Sequence, residues 1–412
     1  MAELSKLRKL FHQWGGTTAT FFSLIHLSHD LSLGLLVALL PFIRADLGLN
    51  YLQSGLLVSA FTITFGLSQF LGGWLGNRLG PRIVMAVGLV GVGLSGLALG
   101  FSPTYYFILC ILVIMGVSAG AYHPLANAML PSYFESGRRG KVVALHGIGG
   151  NIGFAMSPIL GGLLAGTLGW RFGYIILSLP ALVAAMFVLK QLRREKPVNH
   201  EDSISHTSNV GDTSVELTPR RPGIIQALRA IAALSILAII VHFVTGTANA
   251  YIPIYLVDKH SVTPFYAAML LGIIRSGGII GSLFGGWLSD KWGRKQALLL
   301  AIVVIGPVLY FLTTLTFSIL LIVAFFCFGL LDQMRQITTL PLIMDSTPAY
   351  FRATVFGIYF GLSMEGTSLL QPVAGHFMDI YGIVYVFNVL ALIGIALSLV
   401  GVIFVIRTRL RR

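Results

Sequence analysis

Five ionisable side chains stand where an apolar chain should not tolerate them. Asp30, Arg275, Asp332, Arg335 and Glu365 fall near the centres of long, otherwise uncharged runs. A charge at mid-bilayer costs about 2.5–3.5 kcal/mol on insertion scales, so each asks for a reason. Asp332 and Arg335 are three residues apart and share a face if helical. They are therefore expected either to neutralise one another or to hold a solute. Asp30 is different, because no Lys or Arg lies within a span in the first half of the chain. A buried carboxylate without a cation is costly as an anion, which suits a proton carrier. His29 and His26 lie near enough in sequence to share that proton. Asp30, His29 and His26 are thus the expected proton-coupling set. His242, Arg275, Asp332, Arg335 and Glu365 are expected to bind solute, whereas His146 and His376 read as packing residues. A competing reading takes His26, His29, Asp30 and His242 as ligands of a transported divalent metal, since imidazole and carboxylate suit such ions. No phosphate-binding loop, nucleophile–base set or clustered histidine motif is present, so neither an enzyme nor a cofactor is expected.

These charges must be positioned by membrane helices. The hydrophobic fraction is 56%, charged residues are only 10% and the mean hydropathy is +0.85, against about 25% charged residues in an ordinary soluble chain. Uncharged runs exceed the roughly 20 residues that cross a bilayer. Twelve helices are expected, near 17–43, 53–75, 83–101, 104–130, 141–167, 172–190, 229–256, 264–288, 296–315, 317–345, 353–380 and 384–406. The first run is too long for a cleaved signal peptide and lacks a small-residue cleavage site. The formal net charge of +13 is topological and does not imply nucleic acid. With an even number of spans, 23 of the 28 basic residues fall on one side of the membrane, which the positive-inside bias makes cytoplasmic, with both termini. Cys110 and Cys327 both fall within spans and offer no disulfide or zinc framework.

The chain is also duplicated. Gly72-Gly73-Trp74-Leu75-Gly76-Asn77-Arg78-Leu79-Gly80-Pro81-Arg82 returns 213 residues later as Gly285-Gly286-Trp287-Leu288-Ser289-Asp290-Lys291-Trp292-Gly293-Arg294-Lys295. The same offset relates His29 to His242, His123 to Gln336 and Arg139 to Arg352, and places Leu168-Gly169 at Tyr381-Gly382. The organisation expected is a six-helix half over 1–190, a polar cytoplasmic linker over 191–225 and a second six-helix half over 226–412. The fold class is an all-α membrane protein with twelve transmembrane helices in two pseudo-symmetric halves. Such duplication belongs to transporters whose halves rock about a midplane site.

Twelve helices, a polar linker and two G-x-x-x-[DN]-[RK]-x-G-x-[RK] turns resemble the major facilitator superfamily. In the first half, Ser28-His29-Asp30, Leu40-Pro41, Ser54-Gly55-Leu56-Leu57, Tyr122-His123-Pro124, Gly137-Arg138-Arg139-Gly140 and Gly149-Gly150-Asn151-Ile152-Gly153 are similar to the fosmidomycin-resistance type. The resemblance implies a secondary active transporter of a small organic solute, working by alternating access, driven by protons, monomeric and resident in the bacterial inner membrane. It adds Tyr122 and His123, on a cavity-lining helix, to the solute set. Three departures weigh against a drug/proton exporter, which stays the alternative. Asp30 adjoins His29 where relatives place the acid a turn beyond a histidine; Leu125 follows the His-Pro pair in place of Glu; and Leu112-Val113-Ile114-Met115-Gly116 carries no arginine. The gate set implied is Gly73, Asn77, Arg78, Gly80, Arg82, Gly286, Asp290, Lys291, Gly293 and Arg294. Its glycines permit close approach and positive φ, and an acid meets a helix N-terminus across the gate, worth about 0.3–1 kcal/mol and up to ~2 when partly buried. Asp290 can supply that charge and Asn77 cannot. Gly153-x-x-x-Ser157-Pro158-x-x-Gly161-Gly162 resembles an antiporter signature and reads physically as a kinked helix with a thin face for packing.

Overall fold

The computed structural model describes residues 14–191, 224–345, 359, 362–363 and 366–409. Glu365, Arg352, both chain ends and most of the expected linker lie outside the described residues. Apolar sequence and internally satisfied backbone leave helix as the only open-ended way to cross lipid, and every regular element among the described residues is a helix. In chain order these are α1 (Gly16–Leu33), α2 (Leu35–Leu47), α3 (Tyr51–Leu79), α4 (Pro81–Gly100), α5 (Tyr105–Gly120), α6 (Tyr122–Ser132), α7 (Ser136–Leu168), α8 (Trp170–Gln191), α9 (Ile224–His260), α10 (Pro264–Trp292), α11 (Arg294–Thr314), α12 (Ile319–Asp345), α13 (Gly366–Tyr381) and α14 (Ile383–Arg409). The first span is α1 with α2, broken at Gly34, and the fourth is α5 with α6, broken at Ala121. Eleven segments are long and apolar enough to cross a membrane, and α13 is the described part of the span expected at 353–380.

The duplicated turns are shorter than the sequence reading has them. Helix α3 runs on through Leu79 and α4 restarts at Pro81, leaving only Gly80 between them, at φ 87°. Pro81 suits a first helical turn because its missing N–H would have had no partner there. Gly293 makes the same one-residue turn at φ 98°. Two more pairs repeat at the 213-residue offset: Gly48 with Ser261, and Gly169 with Gly382, all at positive φ. The duplication is thus written into the backbone as well as the sequence.

Small residues set the helix spacing. The thin face of α7 lies on α1 and the start of α2: a side chain at Gly149 would strike the Ser23 carbonyl, one at Gly153 the Leu27 carbonyl, and one at Gly161 the Leu35 side chain. Ser157 donates to the Leu31 carbonyl at 2.7 Å, and Gly162 abuts Ala268 of α10. In lipid, where water drives no helix association, such close backbone approach is what holds helices together. Lipid-facing surfaces stay apolar, with Phe70, Trp74, Leu283 and Trp287 exposed.

Candidate functional site

The described helices enclose a central cavity of about 600 Å³ lined from both halves of the chain. Asp30, Phe61, Phe65, His123, Asn151 and Phe154 contribute from the first half, and His242, Asn249, Arg275, Asp332, Gln333 and Gln336 from the second.

On the first-half wall, Asp30 is ringed by histidines, which corrects the expectation that it lacks a partner. His29 Nδ1 lies 2.7 Å from Asp30 Oδ1 and His29 Nε2 lies 3.1 Å from the Ala119 carbonyl. That carbonyl sits at the break between α5 and α6, where it also accepts from the Ala121 N–H. A carbonyl only accepts, so His29 Nε2 carries a proton; the contact from Nδ1 to the carboxylate then requires one proton more, on either partner. His26, one turn before Asp30, places Nε2 3.2 Å from Oδ2, off the line of a hydrogen bond, while its Nδ1 meets the His146 carbonyl at 2.9 Å. His146 stacks on His26 with ring centroids 4.2 Å apart and anchors its own Nδ1 on the Phe22 carbonyl. His123 Nε2 stands 3.8 Å from Asp30 Oδ1. Gly150 makes the room: a Cβ there would overlap the His26 ring.

The second-half wall is held by Arg335, whose side chain is fully buried. It pairs with Asp332 at 2.8 Å, reaches His242 Nδ1 at 2.8 Å and donates to the Ala238 carbonyl at 3.3 Å. Thr245 and Gln336 donate to the same carboxylate, at 2.8 and 3.1 Å. A guanidinium only donates, so His242 Nδ1 accepts and the imidazole is neutral. The Arg335–Asp332 pair is neutral as well. Arg275 faces the cavity with its guanidinium 4.4 Å above the Phe154 ring, and no carboxylate among the described residues is within ion-pair distance of it. The described lining therefore carries one uncompensated positive charge.

The halves meet at the end bearing Asn50 and Thr263, a helix length away from Gly80 and Gly293. There Arg44 pairs with Asp258 at 3.0 Å, and the Tyr51 hydroxyl donates to the same carboxylate at 2.7 Å. Asp379 caps the N-terminus of α3, accepting from the amides of Tyr51 and Leu52 at 2.8 and 3.0 Å. Tyr251 donates to the carbonyls of Tyr51 and Gln371, and Ser59 to that of Ser368.

Of the proposed solute set, Asp30's neighbour His123 and also His242, Arg275 and Asp332 line the cavity. Tyr122 and Arg335 are corrections: both are buried behind the wall and touch no cavity space. They occupy equivalent repeat positions, and where Arg335 bonds His242, Tyr122 stacks on His29 at 4.5 Å. His29 is buried and so does not mirror His242 across the cavity. The expected metal set is likewise separated, with His242 on the far wall beside Arg335. At the gate, Gly80 and Gly293 hold positive φ, but Gly73 and Gly286 face open space; Gly72 and Gly76 make the close approaches, to Ala121 and Leu125. Asn77 and Asp290 are exposed without a partner among the described residues, and the cross-half carboxylate at a helix N-terminus is Asp379 instead. Arg78 and Lys291 stack on Trp74 and Trp287, one turn back, at 4.1 and 4.9 Å. Arg294 bonds the Pro341 carbonyl and pairs with Asp345, and Arg82 is half-buried. Sequence reasoning read His146 as a packing residue and passed over Phe154 and Thr245. The α1-facing glycine run was the available signal that His146 packs against His26, and nothing in the sequence marked the other two.

The model of the Major Facilitator Superfamily matches residues 22–369. A "Probable hexose phosphate transport protein" of Chlamydia trachomatis is 26% identical over 318 residues, 70% of each chain. The "Fosmidomycin resistance protein" of Escherichia coli is 24% identical over 369 residues, covering 86% of this chain and 85% of that one. Among solved structures, a bacterial homologue of the human lysosomal transporter Spinster, inward-facing and occupied, superimposes with a TM-score of 0.75 at 15% identity, covering 93% of this chain and 96% of that one.

Proposed function

From the premise that the chain belongs to the major facilitator superfamily, and so is a multi-pass membrane transporter and not an enzyme, we propose that it moves a small organic anion by alternating access, coupled to a proton held at Asp30. The observation that carries this reading is the division of charge between the walls. The His29–Asp30 contact demands one exchangeable proton, and Arg275 opposite is the cation left for a solute. A relative named as a probable hexose phosphate transporter is in keeping with an anionic solute. The positive-inside count supports cytoplasmic termini and a cytoplasmic 191–225 segment in a bacterial inner membrane, and the reading takes the working unit as a monomer of two six-helix halves. On that orientation the latched end faces outward and the cavity belongs to an inward-open state. The similarity to a fosmidomycin resistance protein favours, as a second reading, export of such a solute in exchange for protons.

A melting-shift screen of the purified chain against sugar phosphates, monocarboxylates, neutral sugars and organic cations tests the substrate class. A ligand at 100 times its Kd adds about 2.7 kcal/mol of stability. Anions should raise the melting temperature of the wild type and fail to do so for Arg275→Ala. Shifts with cations alone, or anion shifts that Arg275→Ala keeps, would sink the proposal.

A further inference from the structure

Three ligand-type atoms converge on the first-half wall without a hydrogen bond among them. His26 Nε2 and Asp30 Oδ2 are 3.2 Å apart, His123 Nε2 and Asp30 Oδ1 3.8 Å, and the ligand atoms of the three residues all lie within 4.8 Å of one another. Zinc binds imidazole nitrogen at about 2.0–2.1 Å and carboxylate oxygen at about 2.0–2.2 Å, so neighbouring ligands of a tetrahedral ion stand roughly 3.3–3.5 Å apart by simple geometry. The His26–Asp30 separation is close to that value, and His123 stands somewhat farther off, beside the other oxygen of the same carboxylate.

The supporting shell is also in place. His26 is held through Nδ1 by the His146 carbonyl at 2.9 Å, and its Nε2 is buried without a hydrogen-bond partner. A ligating histidine needs its second nitrogen engaged in this way, because that fixes both tautomer and ring orientation. The His146 ring, stacked at 4.2 Å, prevents His26 from turning away. Asp30 comes from the same helix one turn on, and His123 from α6, so two packed elements fix the triad. Asp30 and His123 line the cavity, so an ion there would be reached from it and could take water or a solute oxygen as its fourth ligand. Three protein ligands and one open position is the arrangement of an exchangeable zinc site, unlike a closed structural one.

We propose that His26, Asp30 and His123 form a binding site for a divalent transition metal of the Zn²⁺ class, and that an ion bound there arrests transport. This set differs from one built for metal cargo, since His29 is committed to Ala119 and Asp30 and His242 to Arg335. The arrest, unlike the binding, rests on the proton-carrier reading above: a metal on Asp30 occupies the carboxylate that shares that proton with His29.

Titration calorimetry of the full-length chain in detergent, with no polyhistidine tag, tests the site using Zn²⁺ alone and Mg²⁺ as a hard-cation control. We expect one Zn²⁺ per chain and no Mg²⁺ heat. His123→Ala should weaken Zn²⁺ at least by the roughly 10–100-fold that loss of a second-shell partner costs. His123→Cys should restore it, which separates loss of a ligand from loss of fold, and His242→Ala should leave it unchanged. Undiminished Zn²⁺ binding by a folded His123→Ala, or equal binding of Mg²⁺, overturns the site. In proteoliposomes, Zn²⁺ should slow solute uptake by the wild type; binding in the expected pattern with uptake unaffected overturns the arrest alone. If no Zn²⁺ binds while Asp30→Asn still loses proton-driven accumulation, the metal site fails and the coupling reading stands.

Discussion

Replacing the Asp30 carboxylate by a carboxamide is nearly isosteric and removes one proton from the cycle. In the wild type, His29 Nε2 is committed to the Ala119 carbonyl, and one proton bridges Nδ1 and Asp30 Oδ1 across 2.7 Å. The introduced amide can donate to the same Nδ1, so Asp30→Asn keeps the wall in its protonated geometry while holding no proton that can leave. One transported proton, driven by a pH difference of one unit, supplies about 1.4 kcal/mol, or about tenfold accumulation. Carried with a monoanion bound to Arg275 it moves no net charge, so the pH gradient and not the membrane potential should drive uptake. The assay is accumulation of a solute found by the melting screen, in proteoliposomes with imposed pH or potassium-diffusion gradients. Asp30→Asn should fall from about tenfold accumulation to simple equilibration and retain solute exchange across a vesicle membrane without a gradient. Accumulation by Asp30→Asn equal to that of the wild type would refute the proton count, and uptake that follows voltage alone would refute the one-to-one stoichiometry.

Other consequences are accessible to simpler measurements. Cysteine placed at Asn209 should resist an impermeant maleimide applied to intact cells; rapid labelling from outside would reverse the orientation. Asp379→Asn removes a charge from the N-terminus of α3, worth about 0.3–1 and up to ~2 kcal/mol, so spin-label distances should show the latched state depopulated about two- to thirtyfold; an unchanged distribution would show that the cap does not latch. In the same experiment, Asp290→Asn should disturb the outward-facing population more than Asn77→Ala, and equal effects would remove the proposed inequality of the two gates. Arg335→Ala leaves Asp332 buried without its cation, for which about 3–5 kcal/mol of destabilisation is expected. A wild-type melting temperature with weakened solute binding would instead return Arg335 to the binding set.

The duplicated turns and the uncharged runs made the fold legible, because lipid allows few alternatives to helix and because glycine at 80 and 293 marks a backbone that other residues rarely adopt. The breaks beside the site were harder to read. Gly34 lies within an unremarkable apolar run, and nothing in the sequence marked Ala121 as the break beside which the Ala119 carbonyl anchors His29. Asp30 was identifiable by the cost of its charge, whereas His146 was not, since its contribution is a backbone carbonyl and a stacked ring, neither of which has a signature in spacing. Arg335 and Tyr122 were placed on the right helices but on the wrong side of them. A residue's depth in the membrane follows from its position along a span, but the face it presents depends on how neighbouring helices pack.

Tyr122 and Arg335 descend from one ancestral position behind the wall. It now serves as a neutral ring under a histidine in one half and as a guanidinium under a histidine in the other. The duplication freed each copy from the other's constraint, so the two walls of the cavity became separately adjustable. Under the proposed division of labour, mutations around Arg275 can shift what is carried without touching the histidine cluster, and a lineage can thereby acquire a new cargo without reinventing its engine.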